Sequence, residues 1–156
     1  MTLKAEKGTF ARLGAVVAEN KRIVLAISET FMNDSGRAAL PIVSRFLDGD
    51  GSRLVVVHDE LDLAPGVVRV KVGGGTAGHN GLRSIEQHTR RLDFIRVRIG
   101  IGKPQSREHG AKHVLSRPSK AEEEQLRAGI DLAADAVELI CEVGVAAAMT
   151  NINARS

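Results

Sequence analysis

The sequence predicts a single α/β domain, a mixed β-sheet flanked by helices, and three observations carry that expectation. Short β-rich runs alternate with stretches of helical periodicity. One run, Leu54-Val55-Val56-Val57, is apolar without alternation, as a central strand covered on both faces would be. Two others, Val68-Arg69-Val70-Lys71-Val72 and Phe94-Ile95-Arg96-Val97-Arg98-Ile99, alternate apolar and cationic residues, as half-buried strands do. A length of 156 residues suits one domain spanning 1–156.

The elements follow in order. Turn residues bound strands expected at Thr9–Val17, Arg22–Ile27, Arg53–His58, Val67–Val72 and Phe94–Ile101. Ser35 is placed to cap a helix running to about Leu47, with Pro41 expected to disturb its first half. Leu82–Thr89 reads as a short helix after a glycine-rich loop. Ser119, with Glu122 three residues on, forms a capping box for the clearest helix of the chain. Its apolar positions Leu126, Ile130, Ala133, Ala134, Val137, Ile140 and Cys141 keep helical spacing to about Gly144.

Composition excludes several classes. With 43% apolar and 26% charged residues the chain is neither disordered nor fibrous. Its one cysteine, Cys141, cannot make an internal disulfide, and no Cys/His cluster has zinc spacing. No apolar run reaches the ~18 residues of a membrane span, and Met1 opens a polar stretch, so a cytoplasmic protein without a membrane partner is expected. The net charge of +3 hides an asymmetry. From Leu63 to Lys120, twelve basic residues face three acidic ones, a local +9; from Ala121 to Thr150, Arg127 faces seven acids, a local −6. Such a basic centre fits a polyanion-binding face, and simple solubility is the plain alternative.

Three segments hold more polar and glycine residues than a core or loop requires. Thr30-Phe31-Met32-Asn33-Asp34-Ser35-Gly36 joins a strand end to a helix start, where α/β folds place ligands; an ordinary cap by Asn33 or Ser35 is the alternative. Val57-His58-Asp59-Glu60-Leu61-Asp62-Leu63-Ala64-Pro65-Gly66 brings three carboxylates to a strand end. Asp59, first after the strand, is best placed for chemistry, and a local turn role suits Asp62. No second acidic cluster is present to complete a metal shell. Gly73-Gly74-Gly75-Thr76-Ala77-Gly78-His79-Asn80-Gly81 leads into a helix N-terminus, a natural anion site, but has neither the P-loop ending nor a dinucleotide setting.

Together these segments resemble the bacterial-type peptidyl-tRNA hydrolase family. The match runs through Thr30-Phe31-Met32-Asn33-x-Ser35-Gly36, His58-Asp59-Glu60-Leu61-Asp62-Leu63-x-Pro65-Gly66, Gly73-Gly74-Gly75-x-x-Gly78-His79-Asn80-Gly81-Leu82 and Phe94-x-Arg96-x-Arg98-Ile99-Gly100-Ile101-Gly102, with Val114-Leu115 further on. The resemblance implies a three-layer sandwich that cleaves the ester between a peptide and the 3′ end of tRNA. It also implies a monomer, with peptidyl-tRNA as partner and no metal or cofactor. Asp59 would bond the general base, and Asn33 and Asn80 the ester region and terminal nucleotide. Phe31 and Met32 would wall the terminal base or peptide, and Lys71 and Arg98 would clamp the tRNA 5′ phosphate. Two departures stand out. Ser28 occupies a position where the family usually has proline. The family's opening strand, Gly-Asn-Pro-Gly loop and Arg-His-Asn segment have no counterpart here, so the expectation is a chain lacking the family's first strand and helix and its general-base histidine. Two further readings follow: an inactive tRNA-binding remnant, or His79 or His58 acting as base instead.

Overall fold

The structure, a computed structural model, describes residues 2–18, 20–103 and 119–155, so Val114-Leu115 lies outside the described residues. The chain forms two compact units, residues 1–54 with 72–95 and residues 55–71 with 96–156, and crosses between them three times. Where one mixed sheet was expected, the described strands form two three-stranded sheets. Among the described residues no helix is long and apolar enough to cross a membrane.

The first unit opens with an antiparallel sheet of β1 (Lys4–Glu6), β2 (Ala11–Ala18) and β3 (Lys21–Ser28), in that order. β1 was not foreseen: three residues are too few to show a period. β2 and β3 form a hairpin from Ala11 opposite Ser28 to Ala18 opposite Lys21, with Asn20 at positive φ in the turn. Alternation brings Ala11, Leu13 and Val24 to one face, where they pack on Ala38, Ile42 and Phe46 of helix α1 (Gly36–Phe46).

Helix α1 runs unbroken through Pro41, against expectation. The ring removes one backbone donor in the second turn, and burial of Ala38, Ala39 and Val43 on one side holds the helix regardless. Ser35 does not cap it either. A 3₁₀ turn, Met32–Asp34, feeds straight into the helix with Ser35 already helical, and its hydroxyl donates back to the Met32 carbonyl at 2.7 Å. The cap comes from elsewhere: the Gly36 N–H donates to Ser84 Oγ at 2.9 Å in a buried contact. Ser84 lies on helix α2 (Asn80–Thr89), which begins two residues earlier than Leu82 and ends at Arg90 in the left-handed region.

The second unit centres on β4 (Val55–Glu60), β5 (Val68–Val72) and β6 (Ile95–Gly100), in the order β4-β6-β5. Ile95 N–H bonds the Leu54 carbonyl and Ile101 N–H that of Glu60, so β4 and β6 run parallel. Gly100 N–H bonds the Val67 carbonyl and Gly73 N–H that of Phe94, so β5 and β6 run antiparallel in one register from end to end. The sheet is therefore mixed, with β6 at its centre. The expectation that Leu54–Val57 is the covered central strand fails: β4 is bonded only to β6 among the described strands, and Val57 is 47% exposed. An apolar run without alternation says that both faces are apolar, not that both are covered.

Helix α3 (Lys120–Val143) starts where expected, with Ser119 Oγ accepting the Glu122 N–H at 3.3 Å and acids in its first turn. It ends at Gly144 (φ 88°), beyond which an unforeseen helix α4 (Val145–Asn153) continues to the C-terminus. The buried stripe of α3 is Gly129, Ala133, Ala136 and Ile140, while Ile130 and Ala134, expected inside, are exposed. Glycine explains the rotation. A Cβ on Gly129 would stand 3.0 Å from Gly66 Cα, and one on Gly66 (φ 83°) would stand 2.5 Å from the Gln125 carbonyl. The helix meets the Pro65-Gly66 turn backbone to backbone, which turns its smallest residues inward and Ile130 outward.

Candidate functional site

In the first unit, β3 delivers the chain into the Thr30–Ser35 segment through a hydroxyl network. Ser28 Oγ and Thr30 Oγ1 lie 2.6 Å apart, the Thr30 N–H donates to Ser28 Oγ, and Thr30 Oγ1 donates to the Phe31 carbonyl at 2.9 Å. A serine at 28 thus shapes by hydrogen bonds a turn that proline would shape by its ring. The result is an exposed tip: Phe31 is 84% and Met32 47% exposed, and Asn33 is exposed beside them.

Across from this tip stands the start of α2. Gly73, Gly74 and Gly78 all have positive φ, so the preceding loop needs glycine to follow its path. His79 closes it. Its N–H bonds the Thr76 carbonyl, and its Nδ1 accepts the Leu82 N–H at 3.2 Å as the N-cap of α2. Asn80, the first helical residue, is exposed. The 3₁₀ turn packs against this helix start, and a Cβ on Gly81 would lie 3.2 Å from Met32 Cγ. The turn that carries Met32 and Asn33, with Phe31 just before it, therefore adjoins the helix start that carries Asn80. Neither Asn33 nor Asn80 uses its side-chain amide within the described protein: both offer a donor and an acceptor to solvent.

The second unit holds Asp59, Lys71 and Arg98. Asp59 lies inside β4 rather than just beyond it, because the strand extends two residues past its expected end at His58. The shared register of β5 and β6 sets Lys71 opposite Arg96 and Arg69 opposite Arg98, so all four cations share one sheet face, with Val68, Val70 and Val97 buried on the other. Arg96, on the central strand, is only 3% exposed, whereas Lys71 is exposed and makes no ion pair among the described residues. The parallel register of β4 and β6 puts His58 and Glu60 on the cationic face and Asp59 on the opposite one. Glu60 Oε1 lies 3.8 Å from Arg98 Nη1, and both side chains are mostly buried. Glu60 was missed as a partner of that face; a strand taken to residue 60 would have shown it by its even spacing from His58.

The described histidines have structural duties. His58 Nδ1 is 2.7 Å from the Asp59 carbonyl, His79 Nδ1 caps α2, and His88 Nδ1 is 2.9 Å from the Ser84 carbonyl. Asp62 pairs with Lys103 at 3.2 Å at the surface, a partner distant in sequence rather than the local turn role weighed for it. Among the described residues no group of three or more His, Cys, Asp or Glu side chains is arranged to hold a metal ion.

The family model described as peptidyl-tRNA hydrolase matches residues 1–156. A protein of Cutibacterium acnes named peptidyl-tRNA hydrolase is 44% identical over 143 residues, which are 92% of this chain and 71% of that protein. One of the same name from Mycolicibacterium gilvum is 39% identical over 155 residues, 99% of this chain and 80% of its own length. Among solved structures, peptidyl-tRNA hydrolase from Acinetobacter baumannii superposes with a TM-score of 0.90 at 38% identity, covering 98% of this chain and 77% of that one.

Proposed function

The chain belongs to the peptidyl-tRNA hydrolase family, and from that premise we infer that it hydrolyses the ester joining a peptide to the 3′ end of tRNA, freeing both for further translation. We read residues 1–156 as one functional domain, working in the cytoplasm as a monomer. The observation that carries the reading is the pair of amides at Asn33 and Asn80, exposed on an adjoining turn and helix start and unused among the described residues.

Ester hydrolysis at neutral pH needs a base to take a proton from water, donors to steady the oxyanion, and a grip on the substrate. We assign Asn33 and Asn80 to the ester region and the terminal nucleotide, each able to donate through its NH2 and accept through its carbonyl. Phe31 and Met32 supply the apolar wall beside them. Asp59 is assigned the carboxylate that would accept a hydrogen bond from a general base, and would fix that base's orientation and stabilise it once protonated. The part of that base is not assigned to His58, His79 or His88, each of which bonds the backbone. Water adds to the ester carbonyl, the tetrahedral oxyanion collapses, and the ribose oxygen leaves with the proton the base took. Lys71 and Arg98 lie on the face opposite Asp59, which suits a phosphate grip held apart from the chemistry.

The test is direct. The protein is incubated with tRNA esterified to a labelled N-blocked peptide, and free peptide is counted. Turnover is expected, with Asp59→Asn lowering kcat at least ~10²-fold while KM stays within about twofold. No release, or an undiminished rate in that variant, overturns the assignment.

A further inference from the structure

We propose that Glu60 is the counter-ion that sets how strongly Arg98 takes a phosphate; the proposal rests on the reading of Arg98 as a phosphate grip. Its carboxylate is held in place from two sides. Oε1 faces Arg98 Nη1 at 3.8 Å, and Oε2 accepts the Asp62 N–H at 3.4 Å. The side chains of Arg98 and Glu60 are 23% and 18% exposed, so water screens the pair weakly. The guanidinium is not used up by it. Arg98 Nε is buried with no hydrogen-bond partner among the described residues, and the single ion pair is long for a charge-assisted bond.

Further cations share this face. Arg69 lies opposite Arg98 on β5 and Lys71 is one pleat further along, while the His58 side chain lies beside Arg98 on β4. Arg69 is directed away by its bond to the Arg155 carbonyl at 2.9 Å. Glu60 therefore does two things at once. It aims the guanidinium across the face, and it subtracts from the potential that an arriving phosphate meets. A phosphate on Arg98 must tolerate a carboxylate on the same group, so Glu60 holds affinity for the 5′ end below what the cations alone would give. For an enzyme that must release its tRNA after each turn, that restraint favours product departure.

Steady-state kinetics with peptidyl-tRNA bearing or lacking a 5′ phosphate test this. Glu60→Gln keeps an oxygen for the Asp62 N–H and removes the charge. Its expected effect is a KM about three- to tenfold lower for the phosphorylated substrate, little change for the dephosphorylated one, and the difference in KM rather than kcat. Glu60→Asp keeps the charge but draws it back, and should fall between wild type and Glu60→Gln, so the result stands even where one variant folds poorly. Arg98→Gln should abolish the preference for a 5′ phosphate, and Glu60→Gln should then have no effect on KM in that background. If Arg98→Gln leaves the preference intact, the phosphate reading itself is wrong. If Arg98→Gln abolishes it while Glu60→Gln and Glu60→Asp both keep the wild-type KM, Glu60 only packs against Arg98 and the proposal is overturned.

Discussion

The side chain of Asn153 pairs with the backbone of Val70 as a neighbouring strand would: Oδ1 accepts the Val70 N–H at 2.8 Å and Nδ2 donates to the Val70 carbonyl at 3.0 Å. Val70 sits on the outer edge of the β4-β6-β5 sheet, with its polar groups turned away from β6. One amide thus closes an open edge and ties the end of α4 to the strand that carries Lys71.

Asn153→Ala should remove both bonds and leave a backbone N–H and C=O seeking water at the edge. At about 0.5–1.5 kcal/mol for each partly buried bond, a loss of roughly 1–3 kcal/mol is expected in thermal or urea unfolding. Asn153→Asp keeps the acceptor but turns a carboxylate oxygen toward the Val70 carbonyl, so it should be no better than alanine at neutral pH. An unfolding midpoint equal to wild type in both would show that the amide pairing contributes nothing.

Asn33→Ala and Asn80→Ala should each lower kcat/KM while leaving the melting temperature nearly unchanged. Both side chains are exposed and bond to nothing within the described protein, so truncation costs the fold little. A lost hydrogen bond to a developing charge costs about 1.5–3 kcal/mol, which is ~10- to 100-fold in rate. Wild-type kinetics in both variants would move the site away from these turns.

Lys71→Ala should weaken tRNA binding and flatten its salt dependence. An exposed cation with no ion pair among the described residues acts on a phosphate by releasing a counter-ion, so the slope of log K against log salt should fall by about one. Filter binding or fluorescence anisotropy over a salt series reads this, and an unchanged slope removes Lys71 from the interface.

Acid should loosen the region around Arg91. Its Nε donates to Asp93 Oδ1 at 2.9 Å, Nη1 donates to the Gly49 carbonyl at 3.3 Å, and Asp50 lies 3.9 Å away. The bond from Arg91 holds the Asp93 carboxyl below its ordinary value, and the Ser52 hydroxyl and N–H do the same for Asp50, with Arg91 adding to it. A carboxyl whose folded pKa is depressed stabilises the fold above the ordinary value of 3.8, and that stability is lost as the pH falls through the lowered folded value. These groups are at the surface, so the effect is small and shrinks with salt. Melting curves over an acid series should show Arg91→Gln with a shallower loss than wild type; parallel curves would contradict it.

What could be read from sequence was whatever a short stretch of chain decides alone. Alternation in Val68–Val72 and in Ile95–Gly100 gave the cationic face, the Ser119 capping box gave the start of α3, and the glycine-rich loop gave the helix that follows it, though at Leu82 rather than Asn80. What could not be read depends on residues far apart in the chain. Ser84 caps α1 from 48 residues away and Asn153 clasps β5 from 83, and no local pattern announces either. Nor did the apolar count on α3 foresee that Gly129, rather than Ile130, faces inward, because the Gly66 turn decides that contact. The candidates Phe31, Met32, Asn33 and Asn80 could be singled out because they lie in or beside segments rich in glycine and polar side chains, whereas Asp59, Lys71 and Arg98 sit within strands. Glu60 was passed over because its partner is on another strand.

The bond from Gly36 to Ser84 gives the molecule an internal clock. The amide hydrogen of a helix's first residue ordinarily exchanges with solvent quickly, since no carbonyl of its own helix shields it. Here the shield is a hydroxyl on α2, buried to 1% exposure, so the Gly36 deuterium uptake rate reports the opening of α2 rather than the fraying of α1. Asn33 lies three residues before that amide and Asn80 begins the helix that protects it. A substrate bridging the two asparagines would hold α2 shut, so occupancy of the site becomes readable as slowed exchange at a single backbone position that the substrate never touches.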